Sequence, residues 1–323
     1  MSQTPNDRAM SRPGVAPPVL AIVGPTASGK TDLALAVAKR LPVEIVVADS
    51  RQVYRGMDIG TAKPDAAARH AVPHHLLDLA DPDESFTVAD WVDRARALLP
   101  EIADRGRLPL VVGGTGLYVT ALIDGYDFAA QPYAPEVRST LAAELEADGL
   151  TPLAARLRRL DPAGAGRIDL HNPRRVLRAL ERVEASGGGV GEGRAEAYPG
   201  RVAMIGLDRP REVLYRRIEE RARQLFAGGL LDEVRRQLAA GYGPDLAPMS
   251  GHGYREAARH LAGEWTLEEA IATTARRTRQ YAKRQLTWFR RDRRIVWLPL
   301  GERPADDPSV VDRVLQLVRP FLG

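Results

Sequence analysis

Apolar residues first crowd together at residues 18–23, PVLAIV, and the run stops at Gly24. A short polar loop follows, then apolar residues at helical spacing over 31–41, ended by Pro42, which has no N–H to continue a helix. The pattern predicts strand, loop and helix in that order. Residues 43–48 and 108–112 are two more apolar runs of strand length; the first ends in Asp49 and Ser50, the second in Gly113, Gly114 and Thr115. Between them Thr87 and Asp90 stand at the spacing of a capping box and predict a helix start. Strands alternating with helices argue for an α/β fold with a parallel sheet flanked by helices. Ligands of such sheets lie beyond the carboxyl ends of the strands. The loop after Val23, residues 49–52 and residues 113–118 all fall there, and are expected to face one pocket.

From 131 to 200 the strand pattern gives way to arginine-rich helical stretches, notably 135–145 and 174–184. This segment reads as a helical insertion. It closes with the glycine-rich residues 187–193, which lack a preceding strand and read as a linker rather than a nucleotide loop. Residues 201–207 look like a returning core strand, with Pro210 near the start of the next helix. The expected organisation is a disordered tail at 1–17, a core made of 18–130 and 201–323, and the insertion 131–200. Thr266 and Glu269 predict the start of a long helix. Ile271, Ala275, Thr278, Ala282 and Phe289 form its apolar face; Arg276, Arg279, Lys283 and Arg290 follow another face, with Arg277, Arg284 and Arg291 beside them.

Composition narrows the chemistry. The 323 residues are 44% hydrophobic and 27% charged, an ordinary globular balance with material for two structural units. No run is long enough to cross a bilayer, and the N-terminal residues lack a secretory apolar segment, so a cytoplasmic protein is expected. The chain has no cysteine, which excludes thiolate nucleophiles, disulfides and cysteine-bound zinc. Any metal is expected to be a hard ion held by oxygen. A net charge of +4 does not by itself identify a polyanionic partner.

Gly24-Pro25-Thr26-Ala27-Ser28-Gly29-Lys30-Thr31 has the spacing of a P-loop between a strand and a helix. Glycines there let backbone N–H groups approach phosphate oxygens at a helix N-terminus, Lys30 adds charge, and the Thr31 hydroxyl is a ligand for Mg²⁺. Asp49, at the end of the neighbouring strand, suits a general base or a water-mediated hold on Mg²⁺; Asp-Ser is equally ordinary capping chemistry. Thr115, in its glycine-rich turn, suits a substrate hydrogen bond, or simply a turn. His74 and His75 would point to opposite faces of a strand, which favours structural roles over chelation. Arg174, Arg175 and Arg178 form one helical patch, and the basic stripe of the last long helix is interleaved with Tyr281 and Trp288. Such faces suit nucleic acid, with arginines on phosphates and aromatics on an extruded base, or are solvated surface.

Taken together, Gly24 to Thr31, Asp49-Ser50-Arg51-Gln52-Val53-Tyr54, Gly60-Thr61-Ala62-Lys63-Pro64, Pro73-His74-His75-Leu76-Leu77-Asp78, Phe86-Thr87-Val88-Ala89 and the 113–118 turn resemble the tRNA dimethylallyltransferases, in that order. Gly228-Gly229-Leu230-Leu231-Asp232-Glu233-Val234, Gly253-Tyr254-Arg255-Glu256 and residues 278–289 extend the resemblance, which covers about 18–298. The resemblance implies a P-loop NTPase-like fold and dimethylallyl transfer from its diphosphate to the exocyclic amine of the adenosine 3′ to the tRNA anticodon. It implies that Thr26 to Thr31 hold the diphosphate, with Mg²⁺ at Thr31, and that Asp49 accepts the amine proton. Ser50, Arg51, Gln52, Thr115, Arg138, Arg174, Arg175, Arg178, Gln280, Lys283 and Arg284 match positions that contact the tRNA anticodon stem-loop. Arg217 and Arg221 are further diphosphate candidates, and a monomer is expected. The residues before Arg174, Asp169-Leu170-His171-Asn172, depart from the family's usual His-Pro-Asn-Asp and carry no assigned role. Rival readings are a small-metabolite kinase, an RNA-binding protein with a vestigial P-loop, and a prenyltransferase acting on free AMP.

Overall fold

The computed structural model describes residues 16–126, 134–186 and 196–322. Strands β1 (Val19–Val23), β2 (Val43–Ala48), β3 (His74–His75), β4 (Leu108–Gly113), β5 (Val202–Asp208) and β6 (Ile295–Pro299) form one six-stranded sheet in the order β3-β2-β4-β1-β5-β6. Every pairing is parallel. Strands covered on both faces read as continuous apolar runs, and β1, β2 and β4 are buried along their whole lengths. β1 lies between β4 and β5; the chain first builds the β2, β3 and β4 side of β1 and then crosses from β4 past β1 to build the β5 and β6 side, so the winding switches at β1 and opens a crevice at its carboxyl end.

Helices α1 (Lys30–Ala38), α2 (Ala66–Ala71), α3 (Val88–Asp104) and α4 (Gly116–Asp124) connect the first strands. Both halves of the Thr87–Asp90 capping box form at α3. The helix is pinned by Trp91, whose indole N–H donates to the Val47 carbonyl at 3.0 Å and whose ring stacks on Tyr118 at 4.8 Å.

Residues Asp124–Ala197 form a separate compact unit, with helices α5 (Pro135–Asp148), α6 (Leu150–Leu160), α7 (Pro162–Ala165) and α8 (Pro173–Ser186). They share a core of Leu141, Leu153, Leu157, Val176 and Leu180. Most of the expected N-terminal tail and the glycine-rich connector at 187–193 lie outside the described residues. Pro17 is described, and its carbonyl accepts the Tyr198 hydroxyl at 2.7 Å.

The chain returns through β5 to α9 (Arg211–Ala227), α10 (Leu230–Ala239), α11 (Tyr254–Leu261), α12 (Leu267–Phe289) and α13 (Pro308–Leu322). α12 starts at the expected Thr266–Glu269 capping box, and its Ala275 and Ala282 pack on Leu214, Ile218 and Ala222 of α9. α13 lays Val310, Val311, Val314 and Val318 on the core formed by Leu20, Leu33, Val37 and Leu207. Among the described residues no helix is long and apolar enough to cross a membrane.

Candidate active site

Strand register decides what meets at the crevice. Val23 pairs with Gly113, and Ala48 pairs with Gly113, so β1, β2 and β4 end level, while β5, whose Gly206 pairs with Val23, runs two residues further to Asp208. The three polar segments expected to converge therefore leave the sheet at one edge. Gly113 permits the close passage: a Cβ there would lie 2.0 Å from the Ala48 carbonyl oxygen. Beyond it, the Thr115 N–H donates to Ala48 O at 3.2 Å and the Thr115 hydroxyl accepts the Ser50 N–H at 3.0 Å. The turn carrying Asp49 is thus tied to the turn carrying Thr115. One Asp49 carboxylate oxygen accepts the Arg51 N–H at 2.9 Å, so the capping role is present and orients the carboxylate.

The P-loop takes φ values that side chains disfavour at Gly24 (146°) and Gly29 (100°), and Ala27 also sits in the left-handed region at 62°. α1 then begins at Lys30 with no side-chain cap at Gly29, leaving its first N–H groups available to an anion. Lys30 Nζ donates to Pro25 O at 2.8 Å. Burial pushes its ammonium down to about 8; the Asp49 carboxylate opposes that shift and the Arg221 cation adds to it. Burial likewise lowers Arg221, against Asp49 and Asp32. Arg217 Nε donates to Ala27 O at 2.9 Å, and Arg209 Nε to Ser28 O at 2.8 Å. Of the two arginines suggested for the diphosphate, Arg217 therefore reaches the loop directly, and Arg221 follows it one turn later on α9. Arg209 joins them without having been singled out.

Mg²⁺ takes oxygen ligands, and in phosphate sites it commonly holds only one or two protein groups, completing its shell with phosphate oxygens and water. The exposed Thr31 hydroxyl and the Asp49 carboxylate are donors of that kind. Among the described residues no cluster of three or more His, Asp or Glu forms an all-protein cage. The donor set fits magnesium bound together with a diphosphate.

The basic stripe on α12 divides. Gln280, Lys283 and Arg284 are exposed, whereas Arg277 pairs with Glu256, Arg279 with Glu219, and Arg290 with Asp208. The interleaved aromatics are engaged within the protein: Trp288 donates its N–H to Thr120 Oγ1 at 3.0 Å. Tyr281 packs against His252 at 5.3 Å, and burial pushes its hydroxyl up to about 12. Arg51 Nη1 donates to Ala247 O at 2.6 Å and Gln52 Nε2 to Thr61 O at 3.1 Å, so both side chains brace neighbouring loops. In the helical unit, Arg138, Arg174 and Arg175 are exposed, while Arg178 pairs with the buried Glu181 at 2.9 Å. The departing tetrapeptide starts α8: Asp169 Oδ1 accepts the His171 N–H at 3.0 Å and Asn172 Oδ1 the Arg174 N–H at 3.1 Å.

Several motifs without assigned chemistry prove to be scaffolding. The buried Glu233 carboxylate accepts N–H groups from Asp58, Ile59 and Gly60 and the Tyr254 hydroxyl, at 2.5–3.1 Å. Lys63 Nζ is buried between Tyr54 O, Asp58 and Asp78. His74 meets Val72 O and His75 meets Glu44, the structural roles expected of them. Gln285 was missed. It was legible only as a polar residue three positions beyond Ala282 on an apolar helix face, where burial demands a partner.

The profile of the IPP transferase family matches residues 52–292, and that of isopentenyl transferases matches residues 17–76. A tRNA dimethylallyltransferase of Roseiflexus castenholzii is 48% identical over 303 residues, 94% of this chain and 97% of the relative. The crystal structure of a tRNA isopentenylpyrophosphate transferase from Bacillus halodurans superposes with a TM-score of 0.70 at 42% identity, covering 94% of this chain and 96% of that one. A tRNA delta(2)-isopentenylpyrophosphate transferase from Staphylococcus epidermidis gives 0.67 at 33% identity, covering 94% and 99%. With so much of its length matched, and the P-loop and Asp49 brought to one edge of a parallel sheet, the chain belongs to the IPP transferase family.

Proposed function

We propose that this chain transfers a dimethylallyl group from dimethylallyl diphosphate to the exocyclic amine of the adenosine 3′ to the tRNA anticodon, releasing diphosphate. The observation that carries the reading is the level ending of β1, β2 and β4, which sets a phosphate-type loop and a carboxylate on the same edge. The Asp49 carboxylate favours the charged forms of both Lys30 and Arg221, against the burial that lowers them.

Transfer breaks the bond from the allylic carbon to the diphosphate oxygen and forms one to the adenine nitrogen. Negative charge gathers on the departing diphosphate, where the N–H groups at the start of α1, Lys30, Arg217 and Arg221 stabilise it. The amine is a poor nucleophile whose proton becomes acidic as the new bond forms, and Asp49 accepts that proton. Thr115, joined to Ser50, keeps the Asp49 turn in place and offers its hydroxyl to the acceptor. Thr31 and Asp49 would hold a Mg²⁺, which would supply further charge neutralisation to the leaving group.

An adenine inside a stacked anticodon loop cannot reach such a site; extruding it costs a few kcal/mol, offset by contacts to the displaced loop. The exposed Arg138, Arg174 and Arg175 of the helical unit, and Gln280, Lys283 and Arg284 of α12, are suited to that RNA. Arg51, Gln52 and Arg178 support the surrounding protein as they stand.

Incubating the purified chain with labelled dimethylallyl diphosphate, with and without tRNA, tests the reading by mass spectrometry of tRNA nucleosides. A prenylated adenosine appears only when tRNA is present. Stoichiometric ATP consumption with a phosphorylated small acceptor would replace the reading with that of a kinase.

A further inference from the structure

Gln285 is 5% exposed on α12 and spans two segments far from it in sequence. Its Oε1 accepts the Thr26 N–H at 2.8 Å, and its Nε2 donates to the Gly114 carbonyl at 2.9 Å. Thr26 belongs to the loop that would hold the leaving diphosphate. Gly114 precedes Thr115, whose hydroxyl accepts the Ser50 N–H and so ties down the Asp49 turn. A Cβ on Gly114 would sit 2.2 Å from Gln285 Nε2, so the fit leaves no room for a side chain there.

We infer that Gln285 is a positioning residue which sets the separation between the diphosphate cradle and the Asp49–Thr115 base. The inference rests on the prenyl-transfer reading of this site. A primary amide suits the task, since one group accepts from a backbone N–H while the other donates to a backbone C=O. The bridge also takes the Thr26 N–H out of the set of phosphate donors, leaving that role to N–H groups later in the loop. Each half of the site keeps its own ligand contacts without the bridge, but their spacing is no longer held. A misplacement of about 1 Å between reacting groups can cost about 100-fold in rate.

The experiment is single-turnover transfer with tRNA and dimethylallyl diphosphate both saturating, comparing wild type with Gln285→Met, which keeps the shape and removes both hydrogen bonds. Gln285→Asn, one methylene too short to reach both partners, is the milder variant should the first fail to fold. The rate constant is expected to fall about 100-fold for Met and about 10-fold for Asn, with dissociation constants for diphosphate and tRNA within about threefold of wild type. A purely structural residue would lower the amplitude, the fraction of active molecules, and leave the rate constant of that fraction unchanged. A wild-type rate constant in both variants, or in Asn alone if Met does not fold, overturns the inference while transfer by the wild type stands. No transfer by the wild type overturns the functional reading and this inference with it.

Discussion

The strand-end edge of the sheet and the helical unit Asp124–Ala197 are built to different tolerances. At the edge, polar groups are held by partners distant in sequence: Thr26 by Gln285, Ser50 by Thr115, Ala27 by Arg217 and Ser28 by Arg209. In the helical unit an apolar cluster holds the helices together, and Arg138, Arg174 and Arg175 stand exposed outside it. The contrast matches what each region is proposed to handle. Bond making depends on fractions of an ångström, whereas attraction to a phosphate backbone depends mainly on the number of cations near it.

The sharpest way to break this contrast is at the edge. Asp49→Ala is expected to slow single-turnover transfer about 1000-fold, within the range for loss of a general base, with tRNA affinity nearly unchanged; a normal rate removes Asp49 as the base. In the helical unit, Leu157→Ala empties a fully buried position and is expected to cost about 3 kcal/mol of local stability. Hydrogen exchange should speed up in α5 to α8 while diphosphate affinity stays the same. A loss of diphosphate affinity would mean that the two regions are not energetically separable.

A smaller effect is expected from Arg284→Ala, which removes an exposed cation lying over the Tyr281 ring at 5.7 Å. The slope of log tRNA affinity against log salt should decrease by about 1; an unchanged slope would leave this face merely solvated. The smallest concerns His252, packed against Tyr281, with Arg277, Arg51, Arg284 and Glu256 around it. Burial, followed by Arg277, drives its imidazole down from 6.5 to about 4. The unfolded chain therefore binds a proton that the folded chain refuses between those values, so stability is fully present above 6.5 and falls as pH drops towards 4. Urea melts of His252→Gln should show a shallower fall over that interval; the same fall in both proteins would place the titration elsewhere.

Local patterning made much of this legible. The buried strands β1, β2, β4 and β5, the P-loop, both threonine capping boxes and the apolar face of α12 follow from rules that act within a few residues. β3, β6, α10, α11 and α13 were harder to read, being short or lacking a strong start signal; α13 is recognised as core only once Val310, Val314 and Val318 meet α1 and the sheet. The arginines show the limit most directly. Arg276, Arg277, Arg279, Lys283 and Arg284 look alike as charges on one helix, and nothing near them marks Arg277 for Glu256 or Arg279 for Glu219.

By itself, the sequence determined the buried strands β1, β2, β4 and β5, the glycine-containing loop that opens α1, and the polar residues that follow β2 and β4, because backbone geometry and side-chain periodicity are short-range properties. Tertiary structure alone decided that three strand ends finish level, which cations remain exposed, and that a glutamine from α12 joins loops 259 and 171 positions away. Those outcomes depend on which surfaces meet when the apolar core closes, and contacts between remote segments leave no periodic trace in the chain.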